Sequence, residues 1–111
     1  MIKALMTSLL SYSLAVFVLS GCATMTPHEN YLNHLKWVVG KNWTWLRENY
    51  QLPGEQYLIS SEKLSNGNIE KKYKWTMGKY SCTDIYEIDL STNIVVRSGF
   101  EGRDEDCVSP P

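Results

Sequence analysis

Ile69-Glu70-Lys71-Lys72-Tyr73-Lys74-Trp75-Thr76-Met77 alternates apolar and charged side chains, and this period of two decides the fold. Ile69, Tyr73, Trp75 and Met77 fall on one face of a strand, with Lys71 as an exception among them. Glu70, Lys72, Lys74 and Thr76 fall on the other face. Upstream, Ser65-Asn66-Gly67-Asn68 holds the Asn-Gly pair of a tight hairpin, and residues 57–62 make a short candidate strand before it. Downstream, Tyr86, Ile88 and Leu90 share one face of a third strand, with Ile85, Glu87 and Asp89 on the other. A turn at Ser91-Thr92-Asn93 leads to a fourth strand, with Ile94, Val96, Ser98 and Phe100 on one face. Strands joined this way predict an antiparallel meander rather than βαβ units.

Before the strands the period changes. Tyr31, Leu32, Leu35, Val38, Val39, Trp43, Leu46 and Tyr50 recur at three- and four-residue spacing, within an arc of about 120° on a helix. Thr26-Pro27-His28-Glu29 opens that segment as a capping box, with proline at the first helical position. Gly40 and Asn42 weaken its middle, because glycine in a helix interior costs about 1 kcal/mol. The expectation is a helix over about 27–40, then a second short helix or a bent continuation to about 49, ended by Pro53-Gly54. The fold class is therefore α+β, with an N-terminal helix or helix pair packed on a four-stranded antiparallel meander.

The chain has 111 residues, and its first 21 read as an export leader. Lys3 precedes a Leu5–Leu19 stretch of about 22 Å as a helix, short of the ~30 Å hydrocarbon core. Leu19-Ser20-Gly21-Cys22 resembles the lipobox of bacterial lipoproteins: an apolar residue, two small ones, then the cysteine whose thiol accepts diacylglycerol. The resemblance implies a signal peptide over 1–21 and a lipidated Cys22 with a short tether over 22–26, and the remaining length allows a single small domain over 27–111. Several acyl chains on one cysteine give durable anchoring. Ala23, where aspartate would suggest inner-membrane retention, favours the periplasmic face of the outer membrane. The plainer alternatives are an ordinary secreted protein with Cys22 in a disulfide, or a cytosolic protein with an apolar helix.

Eleven Lys and Arg against twelve Asp and Glu give a net charge of −1, or −2 once Lys3 leaves with the leader. That balance argues against a general nucleic-acid binder. The size excludes folds of two βαβ halves and multi-domain enzymes. With Cys22 set aside, Cys82 and Cys107 remain, and an exported pair in a small domain predicts a disulfide. A redox or metal pair would call for C-x-x-C or clustered histidines, and neither is in the sequence. A hairpin centred near 91–92 opposes Cys82 to about residue 101, so the bridge must fold the acidic tail back over the third strand.

Further elements carry a second resemblance. Asn66-Gly67-Asn68-Ile69-Glu70 with Tyr73, Cys82 leading into Tyr86-Glu87-Ile88-Asp89, Phe100-Glu101-Gly102 and Glu105-Asp106-Cys107-Val108 resemble a recurrent family of small proteobacterial lipoproteins of unknown function. With the leader they cover roughly two-thirds of the chain. The helix–helix–meander order is also similar, in architecture only, to the small β-barrel-assembly lipoprotein fold. The Gly-Met-x-x-x-x-Val segment and Leu-Gly-x-Pro turn of that fold are absent here. Neither resemblance transfers a catalytic residue, a cofactor or a metal.

His28 and His34, the two histidines, lie six apart and about 240° around one helix, which separates them as metal ligands. The serines sit in no nucleophile elbow. Trp43 and Trp75 fit the core, whereas Trp37 lies about 100° outside the apolar arc. An exposed Trp37 suits a partner anchor or an interfacial membrane contact, and a bent helix or covering strand would make it ordinary packing. Lys71, Lys72, Lys74 and Lys79 form a basic stretch, and Glu101, Asp104, Glu105 and Asp106 form an acidic one around Arg103. Either could guide a partner, or simply keep the surface soluble. The contact residues expected are Trp37, Lys72, Lys74, Asp104, Glu105 and Asp106. The functional expectation is a non-enzymatic envelope lipoprotein that binds a protein or supports an assembly. The alternative is a periplasmic inhibitor or immunity protein that offers its acidic loop to a secreted hydrolase.

Overall fold

The computed structural model describes residues 25–109. The leader, Cys22 and most of the tether lie outside the described residues. Two helices, α1 (Pro27–Val38) and α2 (Trp43–Asn49), precede a one-turn 3-10 helix at Glu55–Tyr57. Four strands follow: β1 (Leu58–Lys63), β2 (Ile69–Met77), β3 (Tyr80–Asp89) and β4 (Ile94–Glu101). They form one antiparallel sheet in the order β1-β2-β3-β4. The architecture is the α+β arrangement expected, and among the described residues no helix is long and apolar enough to cross a membrane.

The helical segment breaks for a reason that involves the sheet. At its start Thr26 Oγ1 accepts from the Glu29 amide at 3.1 Å, and Glu29 returns a carboxylate to the Thr26 amide at 3.3 Å. At its end Gly40 adopts φ +89°, a conformation that stops α1 at Val38. The 40–43 linker is then stitched to the start of β4. The Gly40 amide donates to the Val95 carbonyl at 2.8 Å, Val95 donates to Lys41 at 3.0 Å, and Trp43 donates to Asn93 at 2.8 Å. Asn42 caps α2 by accepting from the Trp45 amide at 2.9 Å. A continuous helix would pair the linker groups internally but leave the Val95 amide and carbonyl and the Asn93 carbonyl without these partners, so two helices win.

Tyr31, Leu35, Val38, Trp43 and Leu46 from the helices bury against Tyr73, Cys82, Tyr86, Ile88 and Val95 from the sheet. Lys71 shares that face, as its position in the alternation requires, and lays its Nζ 5.8 Å from the Trp43 ring centroid. A cation over an aromatic face accounts for a lysine on the apolar side.

Three inward assignments are overturned, those of Val96, Leu90 and Met77. The expected β4 face of Ile94, Val96, Ser98 and Phe100 is interrupted by a bulge between the Glu87↔Arg97 and Ile88↔Val95 pairs. The bulge makes Val96 the extra residue, 43% exposed, and turns Val95 into the core. Beyond it Ser98 and Phe100 keep the expected side: the Ser98 hydroxyl donates to the Leu35 carbonyl at 2.6 Å, and Phe100 meets Tyr31 edge-on. Leu90 and Met77, at strand ends that the helices do not reach, are exposed.

Cys82 and Cys107 are bridged, with Cα atoms 5.1 Å apart. Because of the bulge Glu101 pairs with Thr83, so Cys82 stands across from Gly102. Gly102 turns there at φ +140°, and a β-carbon on it would lie 3.0 Å from Cys107 Sγ. The tail then doubles back to α1. His28 Nδ1 donates to the Cys107 carbonyl at 2.7 Å, and the Ser109 amide donates to the Pro27 carbonyl at 3.0 Å. Closing a loop across the 25-residue separation stabilises the domain by about 3.5 kcal/mol on loop-entropy grounds. The double substitution Cys82→Ala/Cys107→Ala is expected to lower denaturant-measured stability by about that amount. Unchanged unfolding curves would contradict it.

Candidate binding cleft

Residue 84 sits on the inward face of β3, at the same parity as Cys82, Tyr86 and Ile88, so the pleat drives a carboxylate into the core. Asp84 is 3% exposed. A buried carboxylate is unfavourable unless hydrogen-bonded, and here donors converge from three elements. Tyr31 of α1 donates to Oδ1 at 2.5 Å, Trp75 of β2 donates its indole N–H to Oδ1 at 2.8 Å, and Tyr86 of β3 donates to Oδ2 at 2.9 Å. Burial, reinforced by the neighbouring carboxylate, pushes the Tyr31 and Tyr86 hydroxyls well above the ordinary tyrosine range, so both keep the protons they donate.

Asp84, Tyr31 and Trp75 form part of the wall of an open cleft of about 600 Å³. Its mouth lies among α1, the chain leaving α2, the end of β2 and the returning tail at Val108 and Ser109. His34, Tyr50 and Tyr57 complete an aromatic lining. His34 Nδ1 and the Tyr50 hydroxyl are hydrogen-bonded at 2.7 Å, with their rings stacked 4.9 Å apart at 18°. Burial lowers the His34 pKa below the ordinary histidine value, with Asp84 pulling the other way and losing. Burial also raises Tyr50.

Tyr50 carries the cleft out to the surface. Trp37 packs against it at 4.5 Å, Trp45 lies 6.3 Å beyond, and Lys41 Nζ sits 4.7 Å over the Trp37 ring. Trp37 is 42% and Trp45 46% exposed, so an aromatic ridge borders the cleft. The sequence singled out Trp37 but gave no sign of what lies beside it.

The other expected contact residues are not gathered with Trp37. Lys72 and Lys74 alternate with Tyr73 and Trp75 and therefore project from the opposite face of the sheet, where Lys72 pairs with Glu101 at 2.8 Å. In the tail loop Arg103 holds Glu105 at 3.3 Å and Asp106 at 3.0 Å, while Asp104 lies 3.7 Å from His28 Nε2. The two histidines go separate ways, His28 to the tail and His34 to Tyr50. Among the described residues no three His, Cys, Asp or Glu side chains gather as a metal site would require. Sequence reasoning gave Asp84 no part in a site. Its parity with Tyr86 and Ile88 was the available signal.

No family model, curated protein or solved structure matches the chain.

Replacing Asp84 by leucine leaves three buried donors without an acceptor. Asp84→Leu is expected to destabilise by about 3 kcal/mol or more, and Asp84→Asn, which keeps an acceptor, by distinctly less. Urea unfolding checks the order, and equal losses would contradict it. His34 is neutral in the fold and takes up a proton more readily when unfolded. Its contribution is therefore complete above about pH 6.5 and declines as the pH falls below that, levelling once the folded pKa is passed. Melting temperatures between pH 7.5 and 5 should fall less steeply for His34→Gln than for the wild type; parallel slopes would refute the assignment.

Proposed function

We propose that this protein is an envelope lipoprotein, exported by residues 1–21, acylated at Cys22 and held on the periplasmic face of the outer membrane. There it acts as a non-catalytic binding module. The observation that carries the binding reading is the exposed Trp37–Trp45 ridge running through Tyr50 into the cleft. Large aromatic side chains exposed beside a concavity are the usual anchors of protein recognition. The polar groups of the cleft support a role in binding over one in chemistry, since Asp84 is engaged by three donors and His34 by Tyr50.

The anchor reading rests on the lipobox and on the shortness of the tether. Thr26 already caps α1, and the exposed Met25 accepts a hydrogen bond from Asn33, one turn before Trp37. A domain so closely leashed stays near the lipid surface and meets envelope proteins there. The acidic loop is a weaker recognition element, because Arg103 engages two of its carboxylates from within.

Mass spectrometry of the protein from membranes should give a chain beginning at a triacylated Cys22. A photoreactive residue at position 37 should crosslink in cells to an envelope protein. An intact leader would overturn the anchor, and adducts to lipid alone would overturn the protein-binding role.

A further inference from the structure

We infer that the cleft over Asp84 is a binding site for an organic cation, specifically an alkylammonium group on an apolar stem. The inference deepens the binding role and rests on the cleft being the engaged surface, though not on the lipid anchor.

Two carboxylates are buried in the described domain, and their surroundings differ. Glu87, 8% exposed, is met by Arg97 at 3.0 Å as well as by the Asn66 and Asn68 amides. Asp84 is more deeply buried, yet its donors are two hydroxyls and an indole, all neutral. Among the described residues no lysine or arginine lines the cleft. The base that does line it, His34, is tied to Tyr50, and burial disfavours its charged form. The negative charge of Asp84 is thus solvated by neutral donors but matched by no cation among the described residues. Of its two oxygens, Oδ2 accepts a single bond, which leaves acceptor capacity for one more donor.

The walls fit the same ligand. Tyr31, Tyr50, Tyr57 and Trp75 line the cleft, and aromatic faces attract cations most strongly where water is thin. Pro53, Met77 and Val108 supply apolar surface for a carbon stem. The ammonium could belong to a free amine or to a lysine side chain of a partner. Its chemistry at Asp84 is the same in both cases.

The test uses the protein as isolated from membranes in detergent micelles, with the indole N–H resonance of Trp75 as the reporter. The probes are n-butylammonium, neutral 1-butanol, and a blocked tripeptide with a central lysine. Butylammonium is expected to shift the Trp75 resonance saturably while butanol leaves it in place. Asp84→Asn should weaken the response at least tenfold, with the Trp43 resonance unmoved as a sign of an intact core. Should Asp84→Asn fail to fold, Met77→Lys decides: Met77 is exposed on the cleft wall, on the same sheet face as Trp75, and a tethered ammonium there should block butylammonium. A tripeptide that binds where the free amine does not assigns the site to a partner's lysine, and the reverse assigns it to a free amine. Equal responses to butanol and butylammonium, an undiminished response in Asp84→Asn or Met77→Lys, or no response at all would each overturn the proposal. A silent Trp75 with an intact protein adduct at position 37 would remove the cation site alone. Ammonium binding without that adduct would remove the protein partner alone.

Discussion

The carboxylate of Asp84 is the constraint around which the domain is arranged. One side chain draws a hydroxyl from α1, an indole from β2 and a second hydroxyl from β3, so helix layer and sheet share a polar fastening inside an otherwise apolar core. Hydrophobic burial alone is indifferent to small slides of a helix over a sheet. Hydrogen bonds from fixed directions are not, because a slide that breaks one leaves a buried donor unpaired. The aromatic residues facing the cleft therefore hold their positions for the same reason that the carboxylate is tolerated.

The rest of the frame follows from how little core there is. A domain of this size buries too little apolar surface to fix its edges by packing alone. Its edges are instead sewn: the 40–43 linker to β4, the tail to the first turn of α1, and Cys107 to Cys82. The bulge at Val96 belongs to this set. By adding one residue to β4 it puts Val95, rather than Val96, against the helices, and Val95 is the residue whose amide and carbonyl both bond the linker.

Most of the fold was legible because alternation and helical spacing survive in a single sequence. The period of two over 69–77 predicted β2, Asn66-Gly67 its hairpin, and Thr26-Pro27-His28-Glu29 the start of α1, each from local chemistry. The misplaced Val96 was not legible, since a bulge leaves the sequence looking regular while the pairing slips. Lys71 was noticed as an exception, but its explanation, the Trp43 face, lies 28 positions away in the chain. The cleft was the least legible part. Asp84 reads as an ordinary strand residue until donors from three elements converge on it, and Tyr50 reads as the last residue of a helical stripe until His34 and Trp37 are seen packed against it.

The disulfide and the cleft are also mechanically joined. Val108 and Ser109, which line the cleft, directly follow Cys107, and the Ser109 amide is bonded to Pro27 at the start of the helix that carries Tyr31 and His34. Without the bridge, that wall would hang on His28 and one backbone hydrogen bond, and each such bond has a net worth of only about 1 kcal/mol. The bridge thus does more than add stability: it fixes the tail that closes one side of the cleft. A thiol at Cys82 would also sit beside the Tyr31 hydroxyl, 3.5 Å from Cys82 Sγ, whose donation to Asp84 anchors the opposite wall. The shape of the cleft therefore depends on the oxidised state of the Cys82–Cys107 pair, and loss of that one covalent bond would loosen both of its walls.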